Sequence, residues 1–112
     1  MQSLRPLGEC AQVKSVRIGH IDYKIVEMEK LAANENYGLY LAVDQEIHLC
    51  KNMTPPRRAE VLLHEIFHGI ADHQNLELKD DEERVVRSFA LGMAAVIRQN
   101  PAVFADILKD LK

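Results

Sequence analysis

Leu63-His64-Glu65-Ile66-Phe67-His68-Gly69 is the stretch from which the rest of this chain is read. Val61, Leu62, Leu63, Ile66, Phe67 and Ile70 are apolar at helical spacing, which predicts a helix with one buried stripe. His64 and His68, four residues apart, then lie one above the other on a helix face, with Cβ atoms about 5–6 Å apart. At that separation two imidazoles reach one metal ion from the same side. Glu65 projects beside the ion and can hold a water without ligating the metal. Zinc bound by two His and one carboxylate keeps its fourth position open and lowers the pKa of water there to about 7. A neighbouring Glu can act as general base for attack on a peptide carbonyl. The competing reading makes His64 and His68 satisfied core histidines and Glu65 a surface charge. It treats the spacing as coincidence, which a chain of this composition produces on the order of a few per cent of the time.

Asn52-Met53-Thr54-Pro55-Pro56 is a helix-entry signal, with Thr54 placed to cap and proline tolerated in the first turn. The motif helix is therefore predicted from about Pro55 to His73. A six-residue connection, Gln74 to Lys79, follows. Asp80 opens a second helix, predicted from Asp81 to about Asn100, with Val85, Val86, Phe89, Met93, Val96 and Ile97 on its buried side. Asn100-Pro101 stops that helix, and Ala102 to Leu111 reads as a short terminal one.

Toward the N-terminus the periodicity changes to two. Val16 and Ile18, a turn at Gly19-His20, then Ile21, Tyr23 and Ile25 alternating with Asp22 and Lys24, predict strands with one wet face. A polar stretch from Glu27 to Asn36 marks a loop at Asn34-Glu35-Asn36. Tyr37, Leu39, Leu41 and Val43 then alternate up to a short turn at Asp44-Gln45, with Ile47 and Leu49 beyond it, as in a β-hairpin. Residues 1–12 carry Pro6 and Gly8 without sustained periodicity and are expected to be a loosely held lead-in. The expected fold is α+β: a small twisted antiparallel sheet packed against the helix pair, forming one domain over residues 13–112.

A chain of 112 residues with 47% apolar content can bury one core. The net charge of −3 is spread over both signs, with no basic run suited to nucleic acid. No apolar stretch approaches the roughly 20 residues of a membrane span, and Met1 to Pro6 lacks the apolar core of a signal peptide. The expectation is a cytoplasmic protein that engages neither membrane nor nucleic acid. Cys10 and Cys50 show neither zinc-pair spacing nor scaffold density and read as free thiols.

A third metal ligand is required. An antiparallel helix hairpin with its midpoint near residues 76–77 places His68 opposite Asp80, Asp81, Glu82 and Glu83. Spacing alone leaves Glu82 and Glu83 equal, and Asp80 to Glu83 also has capping-box spacing, a purely structural use of the same acids.

From about Ile18 to Pro101 the chain resembles the small phage- and prophage-associated metallopeptidases related to the ImmA/IrrE family, within the gluzincin group. The matching features are Tyr37-Gly38-Leu39-Tyr40, Ile47-His48-Leu49 and Leu62-Leu63-His64-Glu65-Ile66-Phe67-His68-Gly69-Ile70. After them come Glu83-Arg84-Val85-Val86 with Phe89 and Gly92, before Asn100-Pro101. The resemblance implies a minimal zincin-like fold and a third zinc ligand at the start of the helix after the motif, a position that Glu83 matches. Larger relatives add a Tyr, His or Arg for the oxyanion. No motif identifies one here, and Tyr37, Tyr40, His48 and His73 stand as candidates.

Asp72, four residues after His68, is a candidate to orient that imidazole, and Gly69 is expected to admit the partner helix closely. His73 fits a helix-end dipole role, His20 a turn, and Arg57 and Arg58 a solvated face. The expected function is a zinc metallopeptidase: His64, His68 and Glu83 hold Zn²⁺, Glu65 is general base, and the partner is a peptide or protein substrate. An extended substrate could pair with a sheet edge, the Tyr37–Cys50 hairpin being the nearest. The alternative is a non-catalytic zinc-binding regulatory or assembly module of phage origin. A metal-free interaction domain comes third.

Overall fold

A computed structural model describes residues 13–29 and 37–112. The lead-in, Cys10 and the loop at Asn34-Glu35-Asn36 lie outside the described residues. Four strands come first: β1 (Ser15–Ile18), β2 (Ile21–Met28), β3 (Gly38–Leu41) and β4 (Glu46–Cys50). Three helices follow, α1 (Pro55–His73), α2 (Glu82–Gln99) and α3 (Pro101–Leu111), with a short 3-10 turn, Lys79–Asp81, leading into α2. The class is α+β, as expected, and among the described residues no helix is long and apolar enough to cross a membrane.

The sheet corrects one expectation. Its order is β1-β2-β4-β3, and β2 pairs with β4 in parallel, with Ile25 opposite Ile47 and Glu27 opposite Leu49. Both hairpins are antiparallel, but they join through β4 rather than β3, so the sheet is mixed. Alternation marks strands without naming their neighbours, and burial decides here. Ile47 and Leu49 are fully buried, and the central position lets Ile25 and Tyr40 cover Ile47 from both sides. The pleat directs Ile18, Tyr23, Ile25, Ile47 and Leu49 to one face, where they form the core with Val61, Leu62 and Ile66 of α1 against it.

β3 is left at the edge, and it is shorter than alternation suggests. It ends at Leu41, and a turn closed by the Gln45 amide on the Ala42 carbonyl at 3.3 Å leaves Val43 95% exposed. The first hairpin turns on Gly19, whose φ of 64° suits glycine, and a Cβ there would meet His73 Nδ1 at 2.6 Å.

α1 matches its predicted limits. The Thr54 hydroxyl accepts from the Arg57 amide at 3.4 Å, and the prolines occupy the first two helical positions. Gly69 admits the sheet rather than the partner helix, another correction: a Cβ there would lie 2.6 Å from Ile18 Cδ1 and 3.0 Å from the Tyr40 ring. α2 packs on α1 and α3 but does not touch the sheet. Only Val86 and Ala90, one turn apart, are buried, whereas Phe89 is 60% exposed and Val96 and Ile97 are exposed as well. The apolar pattern gave the direction of that face correctly for Val86, but no further layer covers the rest.

Candidate metal centre

The helix hairpin brings the start of α2 to the His pair. The rings of His64 and His68 have centroids 4.9 Å apart. Glu83 reaches both: Oε1 lies 3.2 Å from His64 Nε2 and Oε2 lies 2.9 Å from His68 Nε2. One donor atom from each of the three residues falls within 4.8 Å of the others. In a tetrahedral zinc site with bonds of about 2.0–2.1 Å, two donors sit about 3.3 Å apart. The imidazole–carboxylate separations are close to that, and two nitrogens with one carboxylate oxygen are a donor set suited to zinc. Small adjustments of exposed Glu83 would seat an ion. The same acids do not cap α2, since Asp81 at its N-cap makes no side-chain capping bond.

Glu82 has a different place from its neighbour. Its Oε2 lies 2.8 Å from His68 Nδ1. When Nδ1–H donates to that carboxylate, the neutral ring presents the lone pair of Nε2 to the cluster. Adjacent residues on a helix diverge by about 100°, so Glu82 and Glu83 can approach the two nitrogens of one imidazole. That relation was readable from the Glu-Glu pair and was missed. Asp72 does not orient His68. Its Oδ2 instead accepts from the Tyr40 hydroxyl at 2.8 Å.

Glu65 turns toward the sheet and is only 6% exposed. Burial, joined by the charge of Glu83, pushes its pKa up to about 7, against the lowering effects of His68 and of the Tyr40 backbone N–H that donates to the carboxylate. Room for the side chain comes from Gly38 on β3, where a Cβ would stand 3.1 Å from Glu65 Cγ and 2.7 Å from Val61 Cγ1. Burial lowers the pKa of His64, against the opposing pull of Glu83. The site thus holds a neutral imidazole beside a carboxyl group able to exchange a proton near pH 7.

A cleft of about 970 Å³ opens over these groups, lined also by Gly38 and Tyr40 of β3, Glu60 of α1, and Arg87 and Leu91 of α2. The candidates for an oxyanion donor divide. His48 pairs with Glu46 at 2.7 Å and does not line the cleft. His73, also outside it, lies 2.7 Å from the Tyr23 hydroxyl, which is 3.0 Å from that of Tyr40. Because Tyr40 donates to Asp72, the bonds run in one direction: His73 to Tyr23, Tyr23 to Tyr40, Tyr40 to Asp72. Burial, then these bonds and the Asp72 charge, raise the pKa of Tyr40 well above that of an ordinary phenol. Tyr37 lines the cleft with Arg57 stacked 4.5 Å over its ring, so Arg57 is not merely solvated. Arg58 pairs with Glu27 at 2.7 Å. Arg87, which lines the cleft, had no signal in the sequence beyond lying one turn after Glu83.

Comparison with protein-family models, with characterised proteins and with solved structures returns no match.

Proposed function

We propose that this chain is a zinc-dependent peptidase of the minimal zincin type, similar to the ImmA/IrrE-related enzymes. One observation carries the reading: the donor atoms of His64, His68 and Glu83 converge, with buried Glu65 alongside. A zinc ion held by those three residues would supply Lewis acidity, polarising a carbonyl and making water acidic. The chain's own residues do the rest. Glu65, at home near neutral pH in either protonation state, accepts the proton of the attacking water at a carboxylate oxygen and passes it to the departing amine nitrogen. Glu82 holds the His68 ring in one tautomer.

The position of β3 at the sheet edge supports a peptide as substrate. The Cys50 amide donates to the Tyr37 carbonyl at 2.9 Å, so Tyr37 and Leu39 bond inward to β4. Gly38 and Tyr40 therefore direct their main-chain groups outward, beside Glu65. The Tyr40 N–H serves Glu65, which leaves the Tyr40 carbonyl as the outward main-chain acceptor for an extended peptide lying along the edge.

The test is metal content of protein purified without added zinc, followed by cleavage of a peptide library by wild type and by the Glu65→Gln variant. One zinc per chain with cleavage that Glu65→Gln abolishes supports the reading. Bound zinc without any cleavage would favour the non-catalytic module, and no uptake of zinc would end the proposal.

A further inference from the structure

α2 has a face that serves neither the cleft nor α1. Val85, Ser88, Phe89, Gly92, Ala95 and Val96 fall within an arc of about 120° around the helix. None of them lines the cleft, and the buried Val86 and Ala90 point away from the arc. Glu82, Glu83, Arg84, Arg87 and Arg98, the charged residues of α2, all lie outside it. Phe89 is nevertheless 60% exposed and Val96 45%. The Phe67 ring, with its centroid 6.3 Å from that of Phe89, steadies Phe89 from one edge only.

Gly92 lies in the middle of this face. A Cβ at Gly19, Gly38 or Gly69 would strike a neighbour, whereas one at Gly92 would meet nothing within 4 Å. Glycine inside a helix is unfavourable, and no contact within the chain uses the space it leaves. A second helix packed closely on α2 would use it. α3 also lacks a cover. Among the described elements it touches α2 alone and buries none of its side chains, and Val103, Ile107, Leu108 and Leu111 are 45–78% exposed. A helix of that length is marginal in water without packing. With Phe89 and Val96 these side chains expose on the order of 600 Å² of apolar surface, the upper end of what a monomer leaves open. A standard interface takes roughly 800 Å² from each partner, somewhat over half of it apolar.

We infer that this surface is the interface of a two-fold dimer, in which α2 packs antiparallel on α2 of a second copy and α3 enlarges the contact. A two-fold contact must be self-complementary. Val85, Phe89, Gly92 and Val96 follow one another at intervals of four, three and four, the a/d spacing of paired helices. Set antiparallel, Phe89 of each copy sits over Gly92 of the other while Val85 meets Val96. A parallel pairing would instead set Phe89 on Phe89 and leave Gly92 facing Gly92. Because the arc carries no charge, the pairing opposes no like charges. The clefts of both copies stay open, since the arc contributes nothing to them. The dimer does not depend on the metal or on the peptidase reading.

Sedimentation equilibrium of the full chain, 12.8 kDa as a single copy, tests this with a chelator present so that zinc cannot bridge chains. Wild type is expected to approach twice that mass as concentration rises. Phe89→Glu should keep the fold by circular dichroism and weaken association about thirtyfold or more. Gly92→Leu separates the interface from the fold. It should raise the melting temperature of the dilute single chain, because leucine is the better helix former and meets open space, yet weaken association by a similar factor. A single-copy mass at every concentration overturns the inference. So does a dimer that both variants leave intact, which would put the interface elsewhere. Loss of association in Phe89→Glu alone overturns the seating of Phe89 on Gly92.

Discussion

Glu65, next to His64 in the chain, and Glu82, 2.8 Å from His68 Nδ1, both flank the His pair, and burial separates their work. Glu65 is enclosed between α1 and β3, so its pKa rises to about 7, whereas Glu82 at the mouth of the helix hairpin accepts a hydrogen bond from His68. The Glu65→Gln variant should therefore retain zinc while peptide cleavage falls by about 10²–10⁴-fold. Glu82→Gln should instead weaken zinc binding about 10–100-fold, read by competition with a chelator. The raised pKa also has a sign in stability. Folded metal-free protein keeps a proton on Glu65 that the unfolded chain loses near pH 4.5, so this contribution is fully present below that pH and is lost as pH rises toward about 7. The size is about 3 kcal/mol at most. His64, whose pKa is lowered by burial, works the other way and weakens the fold as pH falls below its ordinary 6.5. Denaturant titration of metal-free wild type against Glu65→Gln isolates the Glu65 part. Parallel pH curves for the two would refute it.

At the scale of elements, β3 and α1 are fitted to each other through residues that lack a side chain. Gly38 leaves space for Glu65 and Val61, and Gly69 leaves space for Ile18 and Tyr40. Gly38→Ala is expected to destabilise by about 1–3 kcal/mol, because its Cβ would press on Val61 and on the carboxylate. It should also impair cleavage beyond what the fall in melting temperature explains, since Glu65 must shift. Unchanged stability and activity would show that β3 does not constrain the base. At the other end of the helix, Thr54→Ala should cost about 0.5–1 kcal/mol, the low end for an N-cap, in keeping with its 3.4 Å bond.

For the whole molecule, the candidate metal centre would join two helices that otherwise share a buried seam around Val86 and Ala90. Since α2 has no contact with the sheet, the bond from Glu83 to the α1 histidines would be its firmest attachment. Zinc at a hundred times its dissociation constant should add about 2.7 kcal/mol to unfolding, seen as a rise of several degrees in melting temperature. His68→Ala should lose that response. A zinc-independent melting temperature in wild type would contradict a site shared between the helices.

What could be read without coordinates was local in origin. Helical spacing, the Thr54-Pro55-Pro56 entry and the His-Glu-x-x-His pattern identify α1 and the His pair, because the turn of a helix is set within four residues. Glu83 beside them follows from a short hairpin, with the family resemblance choosing between two acids. Other relations depend on which surfaces meet. Parallel pairing of β2 with β4, the use of Gly69 for the sheet, the burial of Glu65 under Gly38 and the meeting of β3, α1 and α2 around one cleft join residues distant in sequence. Periodicity states which face of an element is apolar. Only packing decides what covers that face, and therefore which carboxylate is dry enough to act as a base.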